Sequence, residues 1–442
     1  MQNDKTTLRD LSIFPSDGSG GVFALIDHTV TQVGRDMLRR HIQNPPDTFE
    51  KLAELQDAIK FWSSHLDLWP TIILNGTLVM LDKFFESADH TSTPPAGVTL
   101  LLSSFFQKLL NKQEYFFTQF SLSHLSDFLK GATQLAEISS IPGVPPLLRR
   151  ELDAIETELA HRLTPEVIAI TKQTKYNDLL LLNHRVRREM KHMVYRLINS
   201  YAKLDAWHAL AKATIENEWV FPELLPVVPV YFETSGLGHP LLQNPVSYDI
   251  EFDNSRNFLL LTGANMSGKT TFMRSLGVGT LLAHLGMGVP AKSLRISFLQ
   301  GIITNMQVED NILRGESYFF AEVQRMKQTA EKLLQRQPHL VLMDELFKGT
   351  NVHDAYECTK AVLEGLLFHP NHLMILSTHL YEVAQRFSTN EKIIFSYFVT
   401  QMTDDGNYVF TYELKNGISN DRIGYRILQK EGVINLLNQN SK

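Results

Sequence analysis

Cysteine is nearly missing from this chain: Cys358 is the only one in 442 residues. A single thiol excludes an intrachain disulfide and a cysteine metal cage, and it suits a reducing compartment, so a cytoplasmic location is expected. An excess of basic residues is missing too. Lys+Arg total 42 against 48 for Asp+Glu, a formal net charge of −6. No general electrostatic pull therefore draws the chain to nucleic acid or to an anionic membrane, and any DNA contact needs a local basic surface. Long apolar runs are also lacking. The stretches near 258–290 and 218–232 are interrupted by Lys269 and Arg274 or by Pro222, Pro226 and Pro229, so neither qualifies as a membrane span and no membrane is expected as a partner. The opening "MQNDKTTLRDLSIFPSDGSG" carries charge and turn residues where a secretory signal needs an apolar core. There is no low-complexity tract and no repeat period.

What is present is enough apolar residue, 43%, for two or three cores at this length. Residues 1–20 read as a loose tail. From Val22 to Lys112 the pattern is helical, with Met37, Leu38 and Ile42, then Leu52, Leu55, Ile59 and Trp62, at spacings of three and four. Pro45 and Pro46 end one of these helices and Asp47 or Thr48 can cap the next. A second helical stretch covers Gln113–Leu135, and "SSIPGVPP" breaks it. Two more helices follow, the second a run of around 40 residues from Asn177 to Glu216, long enough for an arm or spine. Prolines 222, 226 and 229 then mark a linker. Beyond it, "VVPVYF", "NFLLLTG", "HLVLMDE", "LMILSTH", "KIIFSYFV" and "NYVFTYEL" are short β-rich runs, several separated by helical segments, as in an α/β domain. The boundary is expected near 225: helical over 21–224, α/β over 225–442.

Chemistry concentrates in the second part. Gly263 to Thr270, "GANMSGKT", fits the phosphate-binding pattern G-x-x-x-x-G-K-[ST] and lies between a β-run and a helical segment, the context that pattern requires. Its glycines let backbone N–H groups face a β-phosphate at a helix N-terminus. Lys269 would neutralise β/γ charge, and Thr270 would offer its hydroxyl to Mg²⁺. An ordinary glycine-rich turn is the bland alternative. Asp344 and Glu345 end the apolar strand "LVLMDE"; beside a phosphate loop, Asp344 would hold Mg²⁺ and Glu345 would polarise the attacking water. Solvent-exposed strand-end acids are the alternative there. His379 ends "LSTH" at a strand's C-terminal edge, where open α/β sheets bind ligands, yet a lone histidine is more often structural. Ser317 opens an amphipathic helix, and local chemistry does not choose between a helix cap and a phosphate ligand.

In order and spacing these elements resemble the ATPase domain of the MutS family of DNA mismatch repair proteins. "TGANMSGKTTFMR" is similar to that family's phosphate loop, including the Asn265 and Met266 pair that general phosphate loops do not require. "DNILRGESYFFAEV" resembles its signature segment, "LVLMDELFKGTNVHD" its Walker B and following loop, and "ILSTHLYEV" its histidine switch. "YELKNGISNDRIGYRI" and "GLGHPLL" resemble flanking segments of the same domain. Upstream, "FALIDHTVTQVGRDMLRRHIQNPPDTFEKLAELQDAI" (23–59) looks like the family's core domain, and "INSYAKLDAWHALAKATIENEWVFPEL" like the end of its lever.

The resemblance implies an α-helical core and shortened lever followed by an α/β P-loop ATPase domain of ABC type. It implies ATP with Mg²⁺ as cofactors, held by Gly263, Ala264, Asn265, Met266, Ser267, Gly268, Lys269, Thr270 and Thr271, with Thr270 and Asp344 on the metal. Glu345 takes the role of base and His379 that of switch. A homodimer with composite ATP sites is implied, Ser317 reaching the γ-phosphate held by the second subunit and Gly349, Thr350 and Asn351 lying at the dimer contact. Departures from the family accompany this. The core resemblance starts almost at the first residue, so the mismatch-reading and connector domains are expected to be missing, and the arm over 113–197 is expected to be short for a full lever and clamp. Tyr318 stands where threonine is usual and Asn305 where arginine is common. The family's mismatch wedge is Phe-x-Glu; this tripeptide occurs at Phe84–Glu86, Phe221–Glu223 and Phe320–Glu322, and all three read as chance.

The strongest basic cluster is "HRVRREMKHMVYR", where Arg185, Arg188, Lys191, His192 and Arg196 can share a helical face on the arm. Such residues would contact duplex or branched DNA at phosphates, without reading sequence; a solvated face balanced by acids is the alternative. The expected function is an ATP-gated dimeric DNA clamp in mismatch repair or related DNA-structure processing. The alternative is a nucleotide-gated dimer that grips a protein.

Overall fold

A computed structural model describes residues 3–14, 20–87, 112–171, 173–227, 229–306, 318–335, 337–402 and 408–419, with Val433 and Leu436. The chain divides into two compact units, one of Ile26–His41 and Glu54–Ile215, the other of Met1–Leu25, Ile42–Ala53 and Glu216–Lys442. Helices in chain order are α1 (Lys5–Asp10), α2 (Gly21–Ile26), α3 (Gln32–Gln43), α4 (Phe49–Ser63), α5 (Asn75–Glu86), α6 (Lys112–Glu137), α7 (Pro146–Leu159), α8 (Thr164–Ile168), α9 (Tyr176–Glu189) and α10 (Lys191–Glu216).

The first unit is helical. Its core gathers large side chains from the apolar stripes of α4, α6 and α10. Trp62, Phe128 and Tyr201 are fully buried, and the Trp69 and His208 rings stack at 4.6 Å. Burial pulls the His208 imidazole down to about 4. A buried carboxylate ties α10 to the start of α3. Asp205 accepts from Val30 N at 2.9 Å, Thr31 N at 3.0 Å and Thr31 Oγ1 at 2.6 Å, which holds Thr31 where its Oγ1 caps α3 by accepting from Gly34 N at 3.1 Å. Gly34 must be glycine here, because a Cβ would lie 2.1 Å from Asp205 Oδ2. Where the sequence pattern suggests one run of around 40 residues, the structure has α9 and α10, separated at Met190, which takes φ −99° and ψ −11°.

The second unit holds the strands β1 (Glu223–Leu225), β2 (Phe232–Leu237), β3 (Tyr248–Phe252), β4 (Phe258–Thr262), β5 (Ser293–Ser297), β6 (Gly301–Asn305), β7 (His339–Asp344), β8 (Leu373–Ser377), β9 (Ile393–Met402) and β10 (Tyr408–Asn416). Its helices are α11 (Lys269–His284), α12 (Tyr318–Leu333), α13 (Val352–Leu366) and α14 (Tyr381–Arg386). Strands form a four-stranded sheet in the order β1-β5-β2-β3 and a six-stranded sheet in the order β10-β9-β4-β8-β7-β6. In the larger sheet all pairings are parallel except β9 with β10. Every residue of β4, β7 and β8 is buried, as parallel strands covered on both faces require. The β-run "VVPVYF" is displaced, its strand beginning only at Phe232.

The tail expected over residues 1–20 contains a helix. Asp4 caps α1 by accepting from Thr7 N at 2.7 Å. Thr7 Oγ1 donates to Ile302 O at 3.4 Å, and Asp10 Oδ2 accepts from Thr304 Oγ1 at 2.7 Å. Leu8, Leu11 and Ile13 are buried, and Leu11 lies against Gly277 of α11, where a Cβ would come within 2.4 Å. The segment thus covers β6, an edge strand whose polar groups would otherwise offer a pairing template. A helix of six residues is too short to reveal itself by periodicity.

Candidate functional site

The sequence-distant motifs meet because β8 lies between β4 and β7. Leu261 of β4 and Asp344 of β7 both stand opposite Ser377 of β8, so the three strands end side by side at their C-terminal edge. That edge is where open parallel sheets place ligands.

From β4 the chain passes into Gly263 to Gly268 and then α11. Gly263 (φ 138°) and Gly268 (φ 104°) need glycine's freedom, and a Cβ at Gly268 would lie 3.1 Å from the Tyr412 ring. Met266 adopts φ 68° without that freedom, a conformation that costs on the order of 1 kcal/mol and is tolerated where the surroundings impose it. Lys269 is buried, its Nζ donating to Gly263 O and Ala264 O at 2.9 Å each and lying 3.5 Å from Glu345 Oε1. Burial lowers its pKa, while Glu345 and Asp344 oppose the shift. Ser267 Oγ is buried and has no hydrogen-bond partner among the described atoms.

Asp344 is the meeting point of the three strands. Thr270 Oγ1 donates to its Oδ2 at 2.6 Å, and Ser377 donates to its Oδ1 in a short hydrogen bond. A hydroxyl and a carboxylate in contact are the hard oxygen donors that suit Mg²⁺, which usually takes only one or two protein carboxylates. Among the described residues no cluster of three or more His, Cys, Asp or Glu forms an all-protein metal cage. The donor set therefore fits a divalent ion shared with phosphates.

Glu345 stands beside these groups in the left-handed region (φ 53°), its N–H donating to Ser377 O at 3.0 Å. Burial would raise its carboxyl, but the charges of Lys348 and Lys269 outweigh this and hold it below the usual carboxylate range. Lys348 Nζ is 3.2 Å away. His379 is 56% exposed with Nδ1 3.8 Å from Glu345 Oε2, the reach of a weak, rearrangeable contact. A pocket of about 400 Å³ is lined by the loop from Asn265 to Thr271 together with Asp344, Glu345, Lys348 and Tyr412.

The structure thus gathers Lys269, Thr270, Asp344, Glu345 and His379. Ser317 lies outside the described residues. Asn351 caps α13, accepting from His353 N and Asp354 N at 3.1 and 3.0 Å. Sequence reasoning missed Ser377, Lys348 and Tyr412. A serine ending the apolar run "LMILS" was the available signal for the first; Tyr412 sits at a register shift in the β9 and β10 pairing, which no local pattern announces. The basic cluster of the helical unit is largely neutralised within that unit. Arg185 contacts both oxygens of Glu166 at 2.7 and 3.2 Å, and Arg196 those of Glu158 at 2.5 and 2.8 Å. Lys191 Nζ donates to Phe85 O at 3.1 Å, while Arg188 is exposed.

Comparison with known proteins adds a family to this geometry. Residues 259–440 match MutS domain V. The DNA mismatch repair protein MutS of Chloroflexus aurantiacus is 28% identical over 289 residues, covering 60% of this chain and 29% of that protein. DNA mismatch repair protein msh3 of Aspergillus fumigatus is 31% identical over 242 residues, 52% of this chain and 21% of the relative. The DNA mismatch repair protein MutS of Anaplasma phagocytophilum is 24% identical over an alignment covering 96% of this chain and 62% of the relative. The chain spans less than two thirds of the length of each of these relatives.

Proposed function

The chain belongs to the MutS family, and from that premise we propose that it is an ATP-hydrolysing, DNA-binding protein of mismatch repair or related DNA-structure processing, working as an ATP-gated dimer. The single observation that carries the ATPase part is the convergence of Lys269, Thr270, Asp344 and Glu345 at the shared edge of β4, β8 and β7. Backbone N–H groups of Gly263 to Gly268 cradle the phosphates at the N-terminus of α11. On nucleotide binding, Lys269 exchanges its carbonyl partners for phosphate oxygens. Thr270 and Asp344 would hold Mg²⁺, which when bound offsets charge on the phosphates. Glu345, kept ionised by its lysines, accepts a proton from the attacking water, and the role of sensing its charge falls to His379, supported by the 3.8 Å separation. Ser317 of a second copy would complete the site across the dimer, so that binding closes two heads and hydrolysis releases them. Arg185, Arg188, Lys191 and Arg196 are the proposed phosphate contacts on DNA. The names of the relatives support the DNA reading.

Glu345→Gln should retain nucleotide affinity while losing hydrolysis by about a hundredfold or more, and Lys269→Ala should weaken nucleotide binding itself. Equal loss of binding in both variants, read with a fluorescent ATP analogue, contradicts these roles.

A further inference from the structure

We propose that Glu322 is a positioning residue for Glu345, an inference that rests on the ATPase reading above. Glu322 lies in the first turns of α12, is only 8% exposed, and belongs to a Phe-x-Glu tripeptide whose sequence context gives it no role. Its two carboxylate oxygens accept from consecutive backbone amides, Lys348 N and Gly349 N, at 3.1 Å each. Those amides belong to the segment that leaves β7 through Glu345. Carboxylate bonds to amides are stronger than neutral ones, and two of them from one side chain fix the segment in position and in orientation.

The segment needs such a hold. Glu345 (φ 53°) and Phe347 (φ 62°) both occupy the left-handed region without being glycine, a geometry that persists only where neighbours over-determine it. Gly349 is pressed so closely to the start of α12 that a Cβ would lie 2.7 Å from Phe319 N. Lys348, whose backbone Glu322 grips, reaches back with its ammonium to 3.2 Å from Glu345 Oε2. Glu322 thus sets the segment, the segment sets Lys348 and the Glu345 backbone, and these aim the carboxylate that takes the proton. Glu322 touches neither nucleotide nor water in this scheme.

The test is steady-state ATP hydrolysis by the full chain carrying Glu322→Gln, alone and in a Glu345→Gln background, with fluorescent-nucleotide binding as the check on folding. Glutamine keeps the shape but turns an N–H toward one of the two amides. The single variant should lose about tenfold or more in kcat, with KM for ATP within about twofold, because misaiming a base slows chemistry without weakening phosphate contacts. In the Glu345→Gln background the same substitution should change the residual rate by less than about twofold. An unchanged kcat, a loss appearing only in KM, or full additivity with Glu345→Gln overturns the inference while leaving the ATPase reading intact. If the unsubstituted chain hydrolyses no ATP, or hydrolyses it undiminished with Lys269→Ala, the ATPase reading fails and this inference falls with it.

Discussion

Ser377 shows what a single residue contributes beyond the motif that frames it. Its hydroxyl and that of Thr270 hold the two oxygens of Asp344, so Ser377 orients from behind the carboxylate proposed to hold Mg²⁺. Outer partners of this kind typically change metal affinity by about tenfold or more. Ser377→Ala should therefore raise the Mg²⁺ concentration needed for half-maximal nucleotide binding by about that factor; an unchanged Mg²⁺ titration excludes the role. His284 makes a pH prediction in the same unit. It is wholly buried, Leu299 N donates to its Nε2 at 2.8 Å and its Nδ1 meets Thr280 O at 2.8 Å, a pairing that only the neutral ring with Nδ1–H satisfies. Burial holds its pKa at about 4, below the ordinary 6.5. Below 6.5 the unfolded chain binds more protons than the folded one, so the stabilisation from this group is complete above 6.5 and is lost as pH falls toward 4. Urea midpoints of the native chain should decline over that window, with the decline reduced in His284→Gln; parallel profiles for the two proteins contradict it. At this scale the grouping of Lys269, Thr270, Asp344 and Glu345 was legible because each sits in a short fixed pattern. Ser377 and Glu322 were not, because their partners lie 33 and 26 positions away and only the folded sheet brings them together.

Among elements, α1 is the one whose sequence says least and whose packing says most. It lies on edge strand β6, with Asp10 on Thr304 and Leu11 on α11. Leu11 is fully buried, and truncating such a leucine usually costs about 2–5 kcal/mol through lost contacts and a residual cavity. Leu11→Ala should lower the urea midpoint of the α/β unit accordingly. A change below about 0.5 kcal/mol, the size of an ordinary surface substitution, would mean that α1 is dispensable. The long apolar runs of β4, β7 and β8 were readable as strands because burial on both faces leaves them continuously apolar. β3, β5 and β6 were not read, since five-residue segments such as "SLRIS" and "GIITN" carry too little pattern to separate strand from loop. The single helix expected through Asn177 to Glu216 is two helices for a comparable reason: apolar spacing continues through Met190 although the backbone does not.

For the whole molecule, the order of motifs made the family recognisable, while the way β8 intervenes between β4 and β7 is a property of topology that spacing does not encode. The change of period near the prolines suggests a boundary near 225, whereas the compact units interleave along the chain, the α/β one including Met1–Leu25 and Ile42–Ala53. The proposed DNA binding depends on charge available to a duplex. Arg185 and Arg196 are held by Glu166 and Glu158, and exposed pairs of this kind are worth little and exchange readily, so on the proposed reading DNA phosphates would replace the glutamates. The most direct measurement is binding of labelled duplex, mismatched and branched DNA to the purified chain over a range of salt, with and without ATP. Binding at low salt that weakens linearly in log affinity against log salt, with a slope of about −0.9 per phosphate contact, and that changes on adding ATP, is the predicted result. If no duplex, mismatch or junction binds at low salt with ATP present, the DNA clamp is contradicted and a nucleotide-gated grip on a protein takes its place.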